Sequence, residues 1–327
     1  MNKILKKRLV YILIALTLLI QNVFCQQPIK YKQIQFYPQK KQQVEVLKQK
    51  YITTHKNWLY DVLDQAEFYR VYVRNEIKKR NMPAILEYLP VVESNYIPTA
   101  RSKSGATGMW QFMLNSVKPF LICNEYIDER LDPFKSTQAA LTKLQDNYNM
   151  FGDWLLAITA YNCGAGAMKR ALKKAEKKDL WYLIEHNMLS KQASEYVPKL
   201  LAIADVATNH KYYKITLPTA NDIYGNTLKL PVDDFEFVTV KQEINLSWLA
   251  HELRIDYELL KNLNLALIKG TTPPNQKYSI RVPYGMKKTV EYVLNHLVRH
   301  WPTAERTHGR DAGVCAGAER TSAHQGR

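Results

Sequence analysis

The sequence predicts a mainly α-helical domain followed by a small α+β module, and three observations carry that prediction. Apolar residues recur at helical spacing in four stretches between residues 57 and 207. No convincing alternating strand lies among them. After Tyr213 the texture changes to turn residues and short β-branched runs, which resolve into a strand, helix, helix, strand order. A chain of 327 residues holds one sizeable domain and a small one, and 46% hydrophobic content is ordinary for a globular protein.

The chain opens with Lys3, Lys6, Lys7 and Arg8, then an apolar stretch from Leu9 to Ile20, then polar Gln21 and Asn22 before Cys25. Residues 1–25 therefore read as a signal peptide cleaved near Gln26. A retained N-terminal anchor is the alternative, although the apolar run is short for a membrane span. Asn22, Val23 and Phe24 make a poor lipidation box for Cys25. Removal of residues 1–25 takes away four positive charges and no negative ones, so the formal net charge falls from +16 to +12. That basicity suits an anionic polymer; no basic helix or nucleic-acid fold signature makes nucleic acid the partner.

Residues 26–56 form an N-terminal segment, and the first helix is expected over 57–79, where Leu59, Val62, Ala66, Tyr69 and Val73 share a face. Next comes LEYLPVVESNY, in which Glu93 follows Val91 and Val92. Apolar backing disfavours the charged form of a carboxyl group and lifts its pKa toward the range of a general acid, though a lone Glu at such a place is more often a cap or an ion-pair partner. Its company raises the odds. Ser102, Ser104, Gly105, Ala106, Thr107 and Gly108 are small residues that let backbone approach a ligand, and Gln111 supplies an amide able to donate to and accept from sugar hydroxyls.

Asp128, Glu129 and Asp132 are the obvious second carboxylates, but Asp132 before Pro133 reads as a helix N-cap and Arg130 is placed to pair with its acidic neighbours. The helix begun at Pro133 carries Ala140, Leu141, Leu144 and Tyr148 inward, and Asp153 after Gly152 caps the next, at 153–162. That helix ends in AYNCGAG, where Tyr161 and Asn162 are polar tips beside Gly164 and Gly166. A further helix over 191–207 contains Tyr196. Cys123 and Cys163 fit no CxxC or His-spaced metal pattern, so neither a metal site nor any cofactor is assigned. In an oxidising compartment the two would pair if close in space.

The order E-S-x-Y, S-x-x-G-A-x-G-x-x-Q, A-Y-N-x-G and E-Y-V-P resembles the lytic murein transglycosylases of glycoside hydrolase family 23, and GMWQFM and YIDERLDP resemble the membrane-bound lytic transglycosylase D branch most. The likeness runs from about Trp58 to Tyr213. It implies a lysozyme-like fold over 57–213, with Glu93 as the single acid/base. Ser102, Met109 and Gln111 would line the glycan groove, Tyr161 and Asn162 would sit beside the scissile bond, and Tyr196 would complete the wall. Many relatives read Gly-Leu-Met-Gln where this chain has Gly108, Met109, Trp110 and Gln111, which bears on the sugar subsites and not on the chemistry. The implied reaction cleaves the β-1,4 bond between N-acetylmuramic acid and N-acetylglucosamine without water and leaves a 1,6-anhydro end. The implied partner is peptidoglycan and the implied place is the periplasm, with outer-membrane association compatible.

Beyond a linker at 214–235, the strand FEFVTV, the helical NLSWLAHEL and DYELLKNLN, a loop at Thr272 to Pro274 and the strand YSIRVP resemble a LysM glycan-binding module over 236–285. Its opening strand lacks the usual Thr- and Gly-rich entry, so a role in packing has nearly equal weight with sugar binding. A terminal helix follows at 286–299. Residues 300–327 contain no Lys but four of the chain's 12 glycines, and read as a disordered or artefactual tail; His308, His324 and Cys315 are excluded from any site. Because every motif precedes residue 213, catalysis is expected to reside wholly in the first domain. Retained Glu93 argues against a silent glycan-binding protein, and the lack of a second catalytic carboxylate argues against a hydrolytic muramidase.

Overall fold

A computed structural model of the chain describes residues 41–218, 235–274 and 276–296. The expected signal peptide, Cys25, most of the linker and the terminal tail lie outside those residues.

The first helices are α1 (Lys41–Ile52), α2 (Lys56–Gln65) and α3 (Glu67–Lys79). The single helix expected over 57–79 is thus two, broken at Ala66. The break is stabilised locally, since the Leu63 carbonyl at the end of α2 accepts from Arg70 Nη1 at 3.3 Å. Both halves keep apolar residues inward: Leu59, Val62 and Leu63 from α2, Val73 and Ile77 from α3.

A 3₁₀ turn (Ala84–Tyr88) leads into the short α4 (Leu89–Ser94), with Pro90 in its first turn, where the missing N–H costs nothing. Then comes a loop to residue 132, followed by α5 (Pro133–Phe151), α6 (Trp154–Cys163), α7 (Ala165–Lys174), α8 (Leu180–Glu185) and α9 (Lys191–Thr208). Caps set these starts. Asp132 accepts from the Phe134 and Lys135 amides, Asp153 from Leu156, Asp179 from Tyr182 and Ser190 from Ala193. Helix α6 is apolar all round and nearly all buried, and it packs between α5 and α9. Helices α1, α7 and α8 went unforeseen. None of the helices among the described residues is long and apolar enough to cross a membrane.

The second unit consists of β1 (Phe235–Val240), α10 (Leu246–Leu253), α11 (Tyr257–Leu263), β2 (Tyr278–Pro283) and α12 (Lys287–His296). The strands pair antiparallel from Phe235 opposite Pro283 to Val240 opposite Tyr278. Val238, Val240, Ile280 and Val282 turn inward against Leu246, Leu249 and Leu260. The expected strand, helix, helix, strand order is present.

This module has a guest in its core. Ile127, from the loop before α5, has no exposed surface and packs among the module's apolar residues. The Asp128 amide donates to the Ala266 carbonyl at 2.8 Å and the Ile268 amide to the Tyr126 carbonyl at 3.1 Å. Arg281 of β2 donates to both Asp132 oxygens, at 2.5 and 3.2 Å, under the rings of Phe134, Phe235 and Phe237. The two units are docked, which fits the packing role that stands at nearly equal weight with sugar binding for this module.

Candidate active site

Glu93 sits in the last turn of α4, whose Leu89, Pro90 and Val91 are buried. The helix stops there because Asn95 and Tyr96 both take positive φ, 55° and 61°, and their amides fold back on the Val91 and Pro90 carbonyls. Tyr96 is locked by its hydroxyl, which donates to the Glu87 carbonyl at 2.5 Å. Glu93 is thereby held half-buried on a rigid turn. Its Oε1 accepts a hydrogen bond from the Tyr196 hydroxyl of α9. Burial pushes the Glu93 carboxyl up to about 7, opposed by the Tyr196 hydrogen bond and the positive charge of Lys143.

The loop carrying the small residues is held in shape by its own hydrogen bonds. Ser102 Oγ accepts from the Ala106 amide at 2.9 Å, the Gly108 amide donates to the Ala100 carbonyl at 2.8 Å, and Thr107 bridges Arg101 and Phe112. Gly108 has φ +85°, and a Cβ there would lie 1.7 Å from the Arg130 carbonyl oxygen. The loop is tied to α4 by Ser94 Oγ, which donates to the Met109 carbonyl at 2.8 Å. It is tied to α5 by Trp110 Nε1 on Thr137 Oγ1 at 2.9 Å.

The residues singled out from the sequence take different places. Tyr196 touches Glu93 directly. Tyr161 is buried with its hydroxyl on the Trp110 carbonyl at 2.9 Å, so it holds the loop beside Glu93. Met109 has no exposed surface and its side chain belongs to the core; a groove-lining side chain was expected there. Its neighbours Gly108 and Trp110 are equally shut in, because the loop turns its apolar side onto the helices. Gln111, at φ 49°, spends its Nε2 on the Gly108 and Ala100 carbonyls at 2.9 and 3.4 Å and stitches the turn. Ser102 and Asn162 are half-buried, one in the loop and one at the end of α6. Burial pushes the half-buried Cys163 thiol up, away from nucleophile chemistry, and Cys123 and Cys163 are not bonded to each other.

Lys143 of α5 was missed. It is half-buried with Nζ 5.0 Å above the Tyr161 ring and 5.4 Å above that of Phe112, and burial pulls its pKa down while the Glu93 charge raises it. Within α5 it reads as an ordinary exposed lysine, so no sequence signal marks it.

The other carboxylates are engaged structurally. Asp128 pairs with Arg130 at 2.8 Å, Glu129 with Lys135 at 2.6 Å, and Asp132 caps α5 while binding Arg281. Glu87 is buried against Arg70 and Arg74, each at 2.8 Å. Among the described residues no group of His, Cys, Asp and Glu is arranged to hold a metal ion. What remains around Glu93, among the described residues, is its own raised carboxyl group, the Tyr196 hydroxyl and the Lys143 ammonium, a set suited to acid/base work.

Known proteins are similar to this chain in both units. Residues 71–184 match the transglycosylase SLT domain, and residues 234–298 match the LysM-like domain of lytic transglycosylase MltD. The chain is 38% identical over 231 residues to the membrane-bound lytic murein transglycosylase D of Escherichia coli K12, covering 69% of this chain and 48% of that one. It is 31% identical over 123 residues to the peptidoglycan transglycosylase of Escherichia phage T7, covering 37% and 9%. The solved structure of an inactive mutant of the lytic transglycosylase Slt from Pseudomonas aeruginosa is similar over 45% of this chain and 25% of that one, at 23% identity and a TM-score of 0.37. The chain spans about half the length of the transglycosylase D proteins it matches. Both domain matches fall in order on the two docked units, so the chain is built of a transglycosylase SLT domain followed by a LysM-like domain of the MltD type.

Proposed function

We propose that the chain is a peptidoglycan lytic transglycosylase in which Glu93 is the single acid and base. The observation that carries this reading is Glu93 itself: it is pushed up to about 7 and rests on a tyrosine donor, whereas Glu87, Asp128, Glu129 and Asp132 are each bound to a cation. At neutral pH a good share of Glu93 is protonated and delivers its proton to the bridging oxygen as the C1–O bond of the muramoyl residue breaks. The acetamido oxygen of that sugar stabilises the cationic carbon. The Glu93 carboxylate, held by Tyr196, then takes the proton of the sugar's own C6 hydroxyl as O6 closes on C1. One bond is broken, one is formed, and no water is consumed. An attacking hydroxyl already on the ring needs orientation only, which fits a site without a second carboxylate for water.

Ser102, Gln111 and Asn162 are proposed to line the groove, with Tyr161 positioning it from behind. The basic apolar start of the chain and the membrane-bound name of the E. coli relative support export to the periplasm with membrane association. The test is mass spectrometry of digested sacculi, where anhydro ends and reducing ends differ by the mass of one water. Anhydro ends are expected from the wild type and none from Glu93→Gln, which is nearly isosteric but has no proton to give. Reducing ends would make the enzyme a hydrolytic muramidase; retained activity in Glu93→Gln would remove Glu93 from the mechanism.

A further inference from the structure

We infer that the LysM-like module braces the cleft loop, with Arg281 and residues 266–268 holding segment 126–132 in the position from which Arg130 fixes residues 105–112. The contacts form an unbroken series. On the module side, Ile127 is enclosed in the module core and paired with Leu267, the Asp128 amide is on the Ala266 carbonyl at 2.8 Å, and Asp132 is gripped by Arg281 at 2.5 Å. In the middle, Asp128 holds both edges of the Arg130 guanidinium, Oδ1 on Nε and Oδ2 on Nη2, each at 2.8 Å. On the cleft side, Arg130 Nη1 donates to the Gly105 and Phe112 carbonyls, both at 3.4 Å, and the Arg130 carbonyl lies where a Gly108 side chain would be. From there Met109 and Trp110 pass to Ser94, next to Glu93 in sequence, and to Tyr161, on which the Glu93 charge acts.

The charged links are buried. Arg130 and Asp128 are each 1% exposed and Asp132 1%, with Arg281 at 6%. Ion pairs so placed leave an uncompensated charge when one partner goes, so the surroundings must move to rehydrate it. Close-packed interiors transmit such a movement instead of absorbing it. The Arg281 guanidinium is further enclosed by three rings at 4.7 to 5.5 Å, which fixes its fork on Asp132. A module tethered only for glycan capture has no need of a fully buried residue borrowed from its neighbour. Arg281 is on this view a positioning residue: it acts through Asp132, Asp128 and Arg130 and touches no substrate.

The activity arm of the test rests on the transglycosylase reading; the exchange arm does not. Full-length Arg281→Met, Arg281→Lys and Leu267→Ala are compared with wild type by amide hydrogen exchange and by kinetics on soluble glycan oligomers. Exchange over residues 102–112 is expected to rise about tenfold or more in Arg281→Met and Leu267→Ala, with partial recovery in Arg281→Lys. Turnover is expected to fall about tenfold and KM to rise by less than that, since the loop carries the groove residues Ser102 and Gln111 and also ties down Ser94 beside Glu93. Tyr284→Ala, at a module side chain 72% exposed, is expected to leave both readouts unchanged. Should Arg281→Met fail to fold, Leu267→Ala carries the test. Raised exchange confined to residues 235–296 with the loop as in wild type overturns the proposal, and so does a loss seen in KM alone. If Glu93→Gln proves active, the function reading fails while the exchange result still decides the brace.

Discussion

Glu87 and Glu93, six positions apart, sit in opposite electrostatic settings. Burial would raise Glu87, but the guanidiniums of Arg74 and Arg70 overcome it and hold its carboxyl below the usual range. At Glu93 burial wins, because a tyrosine hydroxyl and a lysine that makes no direct ion pair offset it only in part. Separation of this kind suits one carboxylate to structure and the other to the proton transfer proposed for it. Two consequences can be measured. The alkaline limb of the activity profile is expected near pH 7, and Lys143→Met is expected to shift it upward by about half a pH unit or more, since a nearby cation favours the carboxylate form. An unmoved limb would show that Lys143 acts only in packing. The second concerns stability. Because the Glu93 pKa is raised from 4.5 to about 7, its contribution to stability is fully present below about pH 4.5 and is lost as pH rises through 7. Glu93→Gln has no such loss, so it is expected to be more stable than wild type by roughly 1–3 kcal/mol at pH 8 and to lose that relative advantage by pH 4. Calorimetric melting at the two pH values decides it; a difference independent of pH would mean that Glu93 keeps an ordinary pKa.

At the scale of elements, α4 and the following loop make the site and the long helices support it. The glycines of that loop have unequal roles. Both Gly105 and Gly108 have positive φ, +88° and +85°, so either substitution strains the backbone by about 1 kcal/mol or more. Only at Gly108 does a new Cβ collide with backbone, the Arg130 carbonyl at 1.7 Å, whereas the space beside Gly105 is open. Gly108→Ala is therefore expected to abolish activity or folding, and Gly105→Ala to cost about 1 kcal/mol with activity largely kept. Equal melting temperatures for the two would contradict this close approach. Elements with local determinants were legible. The caps at Asp132 and Asp153 were readable because a side chain that accepts from amides two or three residues ahead needs no distant partner. Helices α7 and α8 were passed over: the basic, glycine-opened run AGAMKRALKK is amphipathic, with Met168 and Ala171 inward, but short, and the six-residue LWYLIE is too short to show a period. The break at Ala66 was hidden for another reason: periodicity continues across it, and only Arg70, turning back to Leu63, marks the bend.

For the whole molecule, the docking of the two units alters what a truncation does. Ending the chain at residue 218 uncovers Ile127 and leaves Asp132 without Arg281. Burial of one Ile side chain is worth about 1.5–3 kcal/mol, and loss of one partner of a buried pair adds to it. The shortened chain is thus expected to melt about 5 °C or more below the full chain. A helical domain that melts unchanged after the cut would restore the picture of independent units.

The sequence by itself determined the mainly helical class, the strand, helix, helix, strand module, the caps, and the structural roles of Asp128 and Asp132, and it singled out Glu93 as the candidate acid. Each is written in neighbouring residues or in motifs whose order is linear. The tertiary structure alone decided that Tyr196 touches Glu93, that Lys143 stands over Tyr161 and Phe112, that Met109 is core, and that the module encloses Ile127. Those facts join residues far apart in the chain, 103 positions for Tyr196 and Glu93 and 149 for Arg281 and Asp132. No local pattern encodes such pairs, because they depend on which faces of already formed elements find enough buried area to pack together.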